Sequence, residues 1–268
     1  MQNRSLTSDL GIYVFAAGAI FLGVLGLVSG DFATQWQHVG PNLPFREPLA
    51  YLTAFIELAA GLALLWPRTA RAGALTLTVV YSVFTLVWVP SALQNLGNYD
   101  SIGNVFEEFS LVAGGLVLCA IFSPPGSSIA RRRAFFVLLF GICPISFGIV
   151  HIIDMPGLLN AIPGWLPPSR MFWAYATTLG FFAAAVAILT GIKAPLASRL
   201  LTAEIVIFEF LFWIPNLHAE PRNHFNWAGN AISIAIGGAS WVVSDSICKA
   251  VQRAPAYIES ANEVIVRA

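Results

Sequence analysis

The sequence predicts an all-α fold: a polytopic membrane protein whose eight transmembrane helices form two four-helix bundles in parallel repeat. Three observations carry this reading. The 268 residues are 57% hydrophobic and 10% charged, with a mean hydropathy of +0.74, whereas a soluble protein carries about 25% charged residues. Apolar runs of about 20 residues, enough to cross a ~30 Å hydrocarbon core, recur along the chain. A set of short motifs also returns at an offset close to 125 residues.

The apolar runs, bounded by Gly and Pro, are 10–30, 49–66, 73–90, 105–122, 134–153, 171–190, 199–215 and 227–244. Lipid offers the backbone no hydrogen-bond partner, so each run must close its own bonds as a helix. The first run is longer than the about 7–15 apolar residues of a signal peptide and reads as a retained span. Pro90 and Pro215 are expected to end their helices at the outer surface, because proline cannot continue the backbone ladder. The polar tail after Asp245, broken by Pro255, reads as a short cytoplasmic appendage.

Between the fourth and fifth runs lies Ser123–Arg133, sequence SPPGSSIARRR. Pro124, Pro125 and Gly126 stop a helix, and the three arginines mark a cytoplasmic face. With the N-terminus inside, Arg4, Arg68, Arg71, Arg131, Arg132, Arg133, Lys193, Arg199, Lys249, Arg253 and Arg267 fall on the inner side. Only Arg46, Arg170 and Arg222 fall outside. Both termini are therefore placed in the cytoplasm.

The two sides of the linker read as copies. Trp88-Val89-Pro90 matches Trp213-Ile214-Pro215 at an offset of 125, and Arg68 matches Lys193 at the same offset. Tyr51 and Tyr175, Leu43-Pro44 and Leu166-Pro167, and Gly103-Asn104 and Gly229-Asn230 follow in the same order. A nearly constant register over five matches points to duplication. The units are 1–126 and 127–245, with a tail at 246–268. Four spans per unit make the repeat parallel.

Net charge is zero and the 14 basic residues are scattered over many loops, which excludes a nucleic-acid surface and a nucleic-acid partner. Cys119, Cys143 and Cys248 form no CxxC pair. No P-loop, dinucleotide fingerprint or nucleophile elbow is present.

The candidates for chemistry are acids and one histidine. Glu57 lies mid-span, where a carboxylate costs about 2.5–3.5 kcal/mol to insert, so it should face the bundle interior, protonated or paired. Gly61, one turn on, would admit a close helix neighbour. Glu204 and Glu209 are five residues apart, about 140° around a helix, and do not share a face. Glu209 is the mid-membrane candidate, while Glu204 is expected to pair with Arg199. Glu107 and Glu108 are expected at the outer mouth of the fourth span, where N-terminal acids complement the helix dipole. His151 and Asp154 are three residues apart and could meet on one helix face as a proton-transfer pair. The spacing of His218 and His224 matches no defined metal site, and no metal is assigned.

A further set of marks is Phe55-Ile-Glu57-Leu-Ala-Ala-Gly61, Pro67-Arg68-Thr69-Ala70-Arg71 and Glu107-Glu108, with Gly148-Ile-Val-His151, Pro156, Pro163 and Leu166-Pro167 in the second unit. On these marks each unit resembles the DoxX-like membrane family. The resemblance implies a four-helix bundle per unit in the bacterial inner membrane and a redox-accessory role. It also implies a quinone or other small lipophilic ligand beside the membrane lipids, and a redox partner protein. The second unit departs from the pattern: the place of Glu57 falls on Phe181 or Phe182, and that of Glu107-Glu108 near Ile232-Ser233. A small proton-coupled transporter and a non-catalytic scaffold stand beside this reading, and the residues fix no cofactor and no reaction.

Overall fold

The computed structural model describes residues 10–94 and 99–267, with side chains to residue 252 apart from Asp100. Arg4 and residues 95–98 of the predicted outer loop lie outside the described residues. The elements are α1 (Leu10–Ser29), α2 (Arg46–Leu64), α3 (Ala70–Gln94), α4 (Tyr99–Phe122), α5 (Ser128–Arg131), α6 (Arg133–Ile153), α7 (Met155–Ala161), α8 (Arg170–Thr190) and α9 (Ala194–Phe208). A π-helical turn at Glu209–Trp213 then leads into α10 (Ile214–Ala219), and α11 (His224–Arg267) follows. Among the described residues, eight helices are long and apolar enough to cross a membrane, the seventh formed by α9, the π turn and α10 together. The chain is an all-helical, polytopic membrane protein.

Neighbouring spans pack in chain order, α1 on α2, α2 on α3, α3 on α4, α4 on α6, α6 on α8, α8 on α9 and α9 on α11. Helix α11 then returns to α1 and closes the ring. It also touches α4 across the middle, which divides the ring into two lobes. Helices α4 and α11 therefore serve both lobes. Their apolar windows are 61% and 83% buried, against 22–44% for the other six spans, which face lipid.

Small residues set the closest approach. A Cβ on Gly18 would lie 2.6 Å from the Ala235 Cα, so α1 and α11 meet nearly backbone to backbone. Gly61 does the same for α2: a Cβ there would meet the Ala16 carbonyl of α1 at 3.1 Å.

Helix ends follow local chemistry. Helix α4 stops before Pro124 and Pro125, with Gly126 at φ +79°. Ser127 Oγ then accepts the Ala130 N–H and caps α5. Ser169 caps α8 in the same way at the Phe172 N–H, and Gly191 closes that helix in the left-handed conformation.

Three prolines behave differently from the sequence expectation. Helix α3 continues past Pro90 to Gln94, the seventh span continues past Pro215 to Ala219, and the backbone of α11 stays helical through position 255. A membrane helix tolerates proline where neighbours take up the freed carbonyls. Near Pro215 two side chains of α11 also bond carbonyls of the seventh span. Asn230 Nδ2 donates to the Trp213 carbonyl and Asn226 Nδ2 to the Asn216 carbonyl, each at 3.1 Å.

Candidate functional site

The first lobe has a sealed polar core. Its lid is the segment after α1, where Phe32, Ala33, Trp36 and Gln37 are all buried. Gln37 takes the Ala33 N–H on its Oε1 at 3.0 Å and donates Nε2 to Glu57 Oε1 at 2.7 Å. One amide thus folds the lid and caps the carboxyl beneath it. Trp88 holds the same lid by donating Nε1 to the Trp36 carbonyl at 3.3 Å, and its ring stacks on His38.

Below the lid, Glu57 of α2, Tyr81 of α3 and Glu108 of α4 are each 1% exposed. They lie within electrostatic range of one another. Both Glu108 oxygens and the Tyr81 hydroxyl lack a hydrogen-bond partner. The acids expected at the mouth are therefore deep. Glu107 and Glu108 sit about two turns inside α4, because the helix begins at Tyr99, well before the apolar run. Helix-dipole compensation fades within the first turn and cannot account for them.

Glu107 and Glu108 are adjacent on the seam helix and turn to different lobes. Glu108 enters the sealed core of the first lobe. Glu107 accepts the Trp36 Nε1–H at 2.6 Å and stands in the wall of a cavity in the second lobe.

That cavity has a volume of about 790 Å³. Helices α6, α8, α9 and α11 and the π turn form its sides, α7 contributes Leu158 and Ala161, and Trp36 and Glu107 reach in from the first lobe. The walls are mainly aliphatic and aromatic, including Phe147, Trp173, Phe181, Phe212 and Trp213. Its ionisable groups are Glu107, His151, Asp154 and Glu204, and no Lys or Arg is among the lining residues.

Each polar group has a structural reason for its position. His151 places Nδ1 3.4 Å from Thr178 Oγ1 and its ring edge-on to Phe181. The expected His151–Asp154 pair does not form. Helix α6 ends at Ile153 and Asp154 leaves the helical conformation, so the three-residue spacing no longer puts the two on one face. Asp154 instead caps α7, accepting the Gly157 N–H at 3.0 Å.

Glu204 does not pair with Arg199, contrary to expectation. It packs against Gly180 of α8, where a Cβ would lie 2.6 Å from its Oε2, and it lines the cavity with Oε1 unpartnered. Glu209 starts the π turn and is buried, with Ser233 of α11 as its polar neighbour but neither oxygen in hydrogen-bond geometry. Glu204 and Glu209 thus part company around the helix.

The π turn closes from the Ile214 N–H to the Glu209 carbonyl. Such turns widen a helix locally and recur at functional sites. Here it presents Leu211, Phe212 and Trp213 to the cavity in succession. His224 places Nε2 3.0 Å from the Phe32 carbonyl.

Sequence reasoning did not find Trp36, Gln37 or Tyr81, nor the cavity. The available signal was the offset of about 125 residues, which sets Phe181, Ile232 and Ser233, all lining the hollow, against Glu57, Glu107 and Glu108. No protein-family model, curated protein or solved structure matches this chain.

Proposed function

We propose that the protein is a membrane-embedded receptor for a small lipophilic molecule, which it holds in the cavity of the second lobe. The observation that carries this reading is the cavity itself. A volume of about 790 Å³, apolar walls and a few convergent polar groups are the features of a small-molecule site. A hollow of that size inside a helix bundle is costly unless something fills it.

The contrast between the lobes supports the same reading. We take the chain as two copies of one four-span unit, residues 1–126 and 127–245. Exchange α1 with α6, α2 with α8, α3 with the seventh span and α4 with α11. Every sequential packing then has a counterpart, α4 on α6 matching α11 on α1. In the first copy Glu57, Tyr81 and Glu108 fill the interior. In the second, Phe181 and Ser233 stand at the corresponding places around open space. Duplication followed by loss of the buried acids would convert a filled core into a binding site.

We read the DoxX-like resemblance as pointing to a bacterial inner membrane and a redox-accessory role, with a quinone as the first occupant to try, and the distribution of Lys and Arg as pointing to both termini inside. Purification into lipid nanodiscs followed by mass spectrometry of the organic extract tests this. A stoichiometric small lipophile, with quenching of tryptophan emission by decylubiquinone, is the expected result; Trp36, Trp173 and Trp213 all line the cavity. An extract containing bulk phospholipid alone, with unchanged emission, would refute it.

A second reading, proton-coupled transport, draws on Glu107 and Glu108, which face adjacent lobes from one helix. Flux into liposomes that survives replacement of both by Gln would remove it.

A further inference from the structure

We infer that the cavity selects a lipophilic cation, an organic ammonium or phosphonium with an apolar body. This rests on the reading of the cavity as a ligand site and names its ligand class. Three carboxyl side chains, Glu107, Asp154 and Glu204, line the hollow, and no Lys or Arg does. His151 is the one basic side chain in the wall, no Lys or Arg offers a fixed positive charge to an anionic head group, and the carboxyl lining disfavours one.

The carboxyl oxygens differ in what they have left to give. One oxygen of Glu107 is taken by Trp36, and Asp154 Oδ1 is taken by the Gly157 N–H. Glu204 Oε1 is buried and has no partner in the protein. A buried acceptor of this kind calls for a partner the protein does not supply, and a cationic guest would provide one.

The rest of the wall fits the same guest. Trp36, Trp173 and Trp213 line the cavity, and indole faces attract cations through their ring quadrupole. Aromatic rings beside the unpartnered Glu204 oxygen would hold positive charge without a metal or a fixed hydrogen-bond pattern. Selectivity then follows from charge and girth rather than from exact shape.

The test compares three probes on the full-length protein in nanodiscs, read by tryptophan quenching and calorimetry. They are decyltriphenylphosphonium, neutral decylubiquinone and anionic tetraphenylborate. The phosphonium is expected to bind at least about tenfold more tightly than the quinone, with no binding of the borate. Glu204→Gln should weaken the phosphonium by about tenfold more than the quinone, while Glu204→Asp retains preference for the cation. If Glu204→Gln fails to fold, the ranking of the probes on the wild-type protein decides alone. Quinone binding as tight as that of the phosphonium, or equal binding of the borate, overturns the cation inference and leaves the cavity reading standing. Failure of all three probes overturns both.

Discussion

Trp36 donates its indole N–H to Glu107 Oε2 at 2.6 Å, tying the lid of the first lobe to the seam helix at the edge of the second lobe's cavity. The bond spans 71 residues. It couples the lid's position to the cavity wall. Trp36→Phe keeps the ring and removes the donor, leaving a buried carboxyl oxygen open. The expected loss is about 1–3 kcal/mol of stability, seen as a lower melting temperature in detergent. An unchanged melting temperature would mean that the bond contributes nothing net.

Glu57 and Gln37 separate shape from charge. Glu57→Gln preserves volume and leaves Oε1 available to the Gln37 amide, so the change should stay under about 1.5 kcal/mol. Glu57→Ala opens a void and strands the Gln37 donor, and should cost about 2–4 kcal/mol. Thermal unfolding of the two variants side by side checks the order. Equal losses would mean that the carboxyl group itself, not its volume, holds the core.

Close packing of α1 on α11 depends on Gly18. Its missing Cβ leaves room for Ala235, and Gly18→Leu would drive the two helices apart. The expected cost is at least about 1–3 kcal/mol, with loss of the monodisperse peak on size exclusion. A well-folded Gly18→Leu protein would contradict the α1–α11 contact.

Asn230 Nδ2 donates to the Trp213 carbonyl at the end of the π turn. Asn230→Leu should cost about 1–3 kcal/mol and disturb the π turn, and with it Phe212 and Trp213 in the cavity wall. Lipophile affinity and melting temperature should fall together. A loss of stability without a change in affinity would separate the π turn from the site.

The parts legible in the sequence were those that lipid enforces. Eight spans followed from hydropathy, and the linker turn from Pro124, Pro125 and Gly126. Glu57 lies buried at mid-span because a carboxyl group there has nowhere else to go. The misreadings have separate physical causes. The seventh span runs on past Pro215, with Asn226 and Asn230 bonding carbonyls on either side of it. Glu204 fits against Gly180 instead of reaching Arg199, and Asp154 serves the next helix instead of His151. Polar residues at the start of α4 hid its first two turns and put Glu107 and Glu108 too near the surface. The cavity had no local signature, since empty volume arises from how four helices and a π turn meet.

Occupancy of the cavity is most directly measured by native mass spectrometry of the wild-type protein and Ala176→Trp, released from nanodiscs. Ala176 lines the hollow from α8, and an indole there would take up part of the space a guest needs. The wild-type protein should carry a lipophile adduct that Ala176→Trp lacks, with similar melting temperatures for both. Adducts of equal abundance on the two proteins, or none on the wild type, would contradict a ligand site in the second lobe.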